Sequence, residues 1–103
     1  MEEMESVCFE IITQAGTVRS LLMEAIQEAK EGNFDEAKRK LDEADENLIQ
    51  VHRVHARLIQ NEAQGQPVPF SLLLIHAEDL LMSVETFKHL ARELVSIYKK
   101  IGN

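Results

Sequence analysis

The sequence predicts an all-α fold, an antiparallel up-down-up bundle of three helices, and three observations carry that expectation. Residues that interrupt helices are few, four Gly and two Pro among 103 residues, and four of the six, Gly32, Gly65, Pro67 and Pro69, fall at two breaks that cut the chain into three long segments. The segments between them repeat apolar side chains at steps of three and four, with no strand-like alternation. Those segments are also similar in length and joined by short connections, so each must fold back on the one before it. The expected helices run from about 4–31, 34–62 and 71–101, within a single domain spanning 1–103.

In the first helix Ile12, Ala15, Arg19, Leu22, Ile26 and Ala29 form the stripe, weakened in mid-helix by Gly16 at a cost of about 1 kcal/mol relative to Ala. Glu31-Gly32-Asn33-Phe34 ends it: Gly32 suits a left-handed C-terminus, and Asn33 with Glu36 three residues on resembles a capping pair. The second helix places Phe34, Ala37, Leu41, Ala44, Leu48, Val51, His55 and Leu58 on one buried face. Pro67 and Pro69 forbid its continuation, and Gly65 permits the turn. Ser71 then caps the third helix, with Phe70 and Ile75 at staple positions on either side of the cap.

The third helix carries Leu73, Ala77, Leu80, Val84, Phe87, Ala91, Leu94, Tyr98 and Ile101 as its core stripe, over about seven turns. Beside it runs a second band of Leu72, Ile75, Asp79, Met82, Thr86, Leu90 and Ile97, and the polar face of the N-terminal half shrinks to a strip around Glu78 and Glu85. Two neighbours cannot cover a helix that is apolar over most of its circumference. Self-association through helix three is the expectation.

Composition excludes several classes. The chain holds 18 acids against 11 bases, a net charge of −7, and the split is uneven: residues 1–50 carry net −8, residues 51–103 net +1. With Lys38-Arg39-Lys40 as the one basic cluster and five aromatic residues, phosphate neutralisation and base stacking are both unsupported, so no nucleic-acid partner is expected. The longest apolar run, Leu72–Ile75, falls far short of the ~20 residues that span a bilayer. The acidic start, Met1-Glu2-Glu3-Met4-Glu5, is unlike a basic targeting segment, and a lone Cys8 suits a reducing compartment. A cytoplasmic protein with no membrane insertion is expected.

Two residues of helix three stand out chemically. His76 interrupts the run Leu72-Leu73-Leu74-Ile75, where an imidazole is costly unless its nitrogens are satisfied. It is either a core histidine bonded to a hydroxyl or carboxylate, or a nucleophile, since a neutral imidazole attacks phosphorus without a strong base. Asp79 lies within the band assigned to an oligomer interface. There it is either a rim carboxylate bridged to Lys or Arg, or one of several copies converging on a symmetry axis and sharing a hard cation.

His52 and His55 are spaced to share a metal, and His89 is a fourth histidine, but no H-E-x-x-H or C-x-x-C pattern completes a zinc site. His55 fits a core position with one hydrogen bond. Phosphate-loop, dinucleotide and nucleophile-elbow motifs are absent. Cys8, near a frayed terminus and with acidic neighbours, should carry a raised thiol pKa and react poorly, and Met23 and Met82 read as core fill.

The string Phe70-Ser71-Leu72-Leu73-Leu74-Ile75-His76-Ala77-Glu78-Asp79-Leu80-Leu81-Met82-Ser83 resembles the active-site segment of the enzyme IIA components of the lactose/cellobiose phosphotransferase family. Supporting matches are Ile11-Ile12 with Ala15-Gly16 and Arg19-Ser20, then Gly32-Asn33-Phe34 with Ala37, His52, and the closing Glu93-Leu94 with Ile97-Tyr98. The resemblance implies a homotrimer of nine helices that accepts a phosphoryl group from HPr and passes it to a cysteine of enzyme IIB. It implies that His76 is the phosphorylated residue and that Asp79 lies at the trimer axis, where three copies bind a divalent cation, magnesium by expectation. Ala77 after the histidine looks more like the cellobiose/chitobiose branch than the lactose branch.

The chain departs from the family pattern at Glu78 and Leu80, where His-Ala-Gln-Asp-His-Leu-Met is usual. In helix two Gln50-Val51-His52-Arg53-Val54-His55 replaces Glu-Ala-His-x-x-Gln. Glu78, two residues from His76, is expected to point to another helix face. The competing reading is a non-catalytic helical adaptor: Gly32-Asn33-Phe34-Asp35-Glu36-Ala37 resembles a tetratricopeptide turn, but it occurs once. A histidine metal-storage bundle would need Glu-x-x-His pairs, which are absent.

Overall fold

The computed structural model describes residues 2–102, with side chains from residue 3 onward; the expected domain limits of 1 and 103 lie outside the described residues. Helix α1 runs Glu2–Lys30, α2 Phe34–Ala63 and α3 Leu72–Gly102. Boundaries agree with expectation to within two residues. The rod they form measures 54 × 20 × 18 Å, its long axis set by helices of 29 to 31 residues.

The α1–α2 turn is built as its residues require. Gly32 takes φ 85°, and Asn33 N–H donates back to the Glu28 carbonyl at 2.8 Å, closing the end of α1. The expected Asn33–Glu36 capping pair does not form. Asn33 has no side-chain cap bond to α2, its amide lies 3.4 Å from Glu28, and Glu36 instead binds Arg39, one turn on, at 2.5 Å. Ahead of α3 the expected cap and turn form: the Leu74 N–H donates to Ser71 Oγ at 3.1 Å, and Gly65 supplies the second positive φ, 84°, while Phe70 of the expected staple is exposed.

Helix α1 is the central element. It packs along both α2 and α3, whereas α2 and α3 share little apolar contact with each other. This explains a shift in its stripe: burial centres on Cys8, Ile11, Ala15, Val18, Leu22, Ala25 and Ala29, and Arg19, expected inside, is exposed. Fully buried Ile11, Leu22, Leu81, Val18 and Val51 anchor the core, each contributing about 1.5–3 kcal/mol. Leu48 and Leu58 of α2 and Leu74, Ala77, Val84 and Ala91 of α3 complete it. Leu94 and Ile101 of the expected α3 stripe are exposed.

The seam between α2 and α3 is polar. Asp45 pairs with Arg92 and, at 3.7 Å, with Lys88. His52 pairs with Glu85 at 2.7 Å, and His55 with Glu78 at 2.6 Å. Positions rise along α3 as they fall along α2, as antiparallel neighbours require.

Candidate functional site

The loop 64–71 and the Ser71 cap start α3 at a fixed place and direction. At about 100° per residue, its first four turns then sort their side chains by destination. Leu74, Ala77, Leu81 and Val84 point into the core. Glu78 and Glu85 point to α2 and are held there by His55 and His52. Leu72, Ile75 and Met82 point outward with Asp79 between them, and farther along Thr86, Leu90 and Ile97 continue this band, every member exposed. The second apolar band expected from periodicity is thus a real, uncovered face of the single chain.

His76 occupies the flank between that outward band and the half-buried Leu80 and Phe87. It is exposed, and no hydrogen bond among the described residues involves it. A core histidine satisfied by a hydroxyl or carboxylate is therefore not what the fold contains. Ser83, two turns on along the same flank, lines a groove between α1 and α3 together with Arg19, Thr86 and Leu90. Periodicity misplaced Arg19; its position on this groove is what the sequence reading missed.

Asp79 also loses its simpler reading, since none of the ion pairs among the described residues includes it. Its carboxylate is exposed amid Leu72, Ile75 and Met82. Of the other histidines, His52 and His55 each bind a different carboxylate, and His89 is exposed. Among the described residues no group of three or more His, Cys, Asp or Glu converges within one chain. No described helix is long and apolar enough to cross a membrane.

The sequence profile described as "PTS system, Lactose/Cellobiose specific IIA subunit" matches residues 6–99, nearly the whole chain. The chain belongs to the lactose/cellobiose-specific IIA family. It is 46% identical over 100 residues to the lichenan-specific phosphotransferase enzyme IIA component of Bacillus subtilis, covering 97% of this chain and 91% of that one. The crystal structure of the cellobiose-specific enzyme IIA from Bacillus anthracis superposes with a TM-score of 0.96 at 41% identity, covering 99% of this chain and 94% of that one. The IIA(chitobiose) subunit solved in complex with HPr from Escherichia coli superposes with a TM-score of 0.87 at 33% identity over the full length of both. The three-helix fold is the family's, and the chain is a IIA component of a phosphotransferase sugar uptake system.

Within that family frame two of the departures noted in the sequence, Glu78 on α3 and His55 on α2, turn out to touch. Both Glu78 oxygens lie within hydrogen-bond reach of His55 Nε2, at 2.6 and 2.8 Å. The carboxylate is thereby turned to the face of α3 away from His76, as expected.

Proposed function

We propose that this IIA chain is a cytoplasmic phosphocarrier that accepts a phosphoryl group from HPr on His76 and delivers it to a cysteine of enzyme IIB, for uptake of a cellobiose- or chitobiose-type sugar. One observation carries the reading: the imidazole of His76 is exposed and unbonded on a flank bordered by apolar side chains. A nitrogen lone pair left free in this way is a nucleophile, and the apolar surround can seat a partner protein without opposing charge. The chitobiose relative solved in complex with HPr supports that donor.

The chemistry asks little else of the chain. As a ring nitrogen of His76 forms its bond to phosphorus, the bond to the donor breaks. In the second half-reaction the His76 N–P bond breaks as the acceptor sulfur takes the same group. No nucleotide is consumed, because the phosphoryl group arrives activated. The protein's work is placement of donor and acceptor in line.

The working form in this proposal is a homotrimer of nine helices, with the outward band of α3 facing the threefold axis. Exposure of Leu72 at 82% and of Ile75, Met82, Leu90 and Ile97 at about half or more supports it, since a face of this length is otherwise left to water. Asp79 fits a divalent cation, magnesium by our assignment: it offers a hard oxygen donor with no ion-pair partner among the described residues, and three copies would converge there. When bound, the cation would neutralise like charges at the axis.

Incubation with phosphoenolpyruvate, enzyme I and HPr, followed by intact mass, tests the reading. One phosphoryl group per chain is expected, labile to acid and absent in His76→Ala. No mass shift in the wild-type chain would refute it.

A further inference from the structure

We infer that His55 is a positioning residue for the site on α3: by holding Glu78 it anchors the first two turns of that helix, residues 72–79, and so fixes the direction in which His76 is presented. The inference builds on the phosphocarrier reading of His76.

Contacts within the chain hold the first turns of α3 at few points: within residues 72–79 only Leu74 and Ala77 are buried, and the outward Leu72 and Ile75 belong to the face assigned above to the threefold axis. In place of apolar packing between α2 and α3 at this end there is a groove of about 380 Å³ lined by Leu58, Ile59, Val68, Phe70, Leu74 and Ile75. His55 and Glu78 form part of the same lining, so the pair bridges the gap that the apolar side chains leave open.

The geometry of the bridge is firm. The His55 side chain is 14% exposed and fixed on α2, one turn before buried Leu58 and one turn after buried Val51. Its Nε2–H donates to the Glu78 carboxylate, with both oxygens in reach at 2.6 and 2.8 Å. A charge-assisted bond of this kind is shorter and stronger than one between neutral groups. One turn of α2 earlier, His52 repeats the arrangement on Glu85 at 2.7 Å, but more exposed to solvent, at 50%. Ser71 caps the segment at one end and Glu78 pins it at the other, with His76 between them. Both members of the pair stand at positions where the sequence departs from the family pattern.

Two readouts on the intact protein test the anchor. Amide hydrogen exchange over residues 72–79 should quicken about three- to tenfold in His55→Ala while α1 keeps its protection, and phosphoryl transfer to His76 should slow by a similar factor. His55→Gln keeps an N–H donor toward Glu78 and should restore both to near the wild-type values. His55→Ala combined with Glu78→Ala should be no worse than either alone. Wild-type exchange and transfer in His55→Ala, or equal impairment in His55→Ala and His55→Gln, would overturn the inference while leaving the phosphocarrier reading intact. Exchange responding as stated in a wild-type chain that takes no phosphoryl group would uphold the anchor and refute the phosphocarrier.

Discussion

Cys8 shows how burial and neighbouring charge set the chemistry of one side chain. It is fully buried in the core, and burial first, then the carboxylates of Glu78 and Glu5, push its thiol above the ordinary value of 9.0. The folded state thus holds the proton more tightly than the unfolded chain does. This contribution to stability is complete below pH 9.0 and is lost as pH rises from there through the raised folded value. Lys38 and Lys40, also raised but by carboxylate partners, start from 10.5, so the interval between isolates the thiol. Denaturant titrations of wild type and Cys8→Ala between pH 8 and 10 should show a steeper loss of stability with pH in the wild type. A thiol reagent at neutral pH should modify native Cys8 at least about 100-fold more slowly than the unfolded chain. At this scale the sequence was partly legible: acidic neighbours foretold the direction, but full burial, the larger cause, depended on which face of α1 turned inward.

Among the elements, α1 was the hardest to read, and its central position is the reason. Two frames with steps of three and four run along it, sharing Ala15, Leu22 and Ala29; one adds Ile12, Arg19 and Ile26, the other Ile11, Val18 and Ala25. A helix with one neighbour would favour a single narrow stripe. One flanked on both sides is apolar over a wide arc, and periodicity gives the arc's direction without its edges. Helix α3 was legible in the opposite sense, because its apolar excess had no place in a three-helix monomer and the structure leaves it exposed. The pairing of His55 with Glu78 was foreseen only as a single bond to an unnamed partner, since cross-helix register follows from assembly. Gly16 offers the test of α1 itself. It lies in mid-helix, and an added Cβ would meet nothing within 4 Å. Gly16→Ala should therefore stabilise the chain by about 0.5–1 kcal/mol, read as a Tm higher by about 2–8 °C in calorimetry. A lower Tm would mean that α1 is packed there by something beyond its own chain.

For the whole molecule, the uneven charge acquires a spatial meaning. The acids of the first half lie on α1 and the start of α2, many of them tied into surface pairs such as Glu24–Lys40, Glu36–Arg39 and Asp42–Lys38. Such pairs contribute little to stability individually, yet their acidic surplus keeps copies of the protein apart in solution. The balanced half carries His76 and the outward band of α3, where copies and partners must meet. Asp79 is the exception within that band, and its charge makes the assembly testable. If three copies converge at the axis, their repulsion opposes association unless a cation or proton relieves it. Replacing them with an apolar side chain removes the repulsion and extends a surface that already includes Leu72, Ile75 and Met82. Asp79→Leu should therefore sediment as a trimer, melt at or above the wild-type temperature, and lose any stabilisation that magnesium confers on the wild type. Dissociation of this variant to monomers would instead place Asp79 in a contact that needs its charge, and would contradict the axial position.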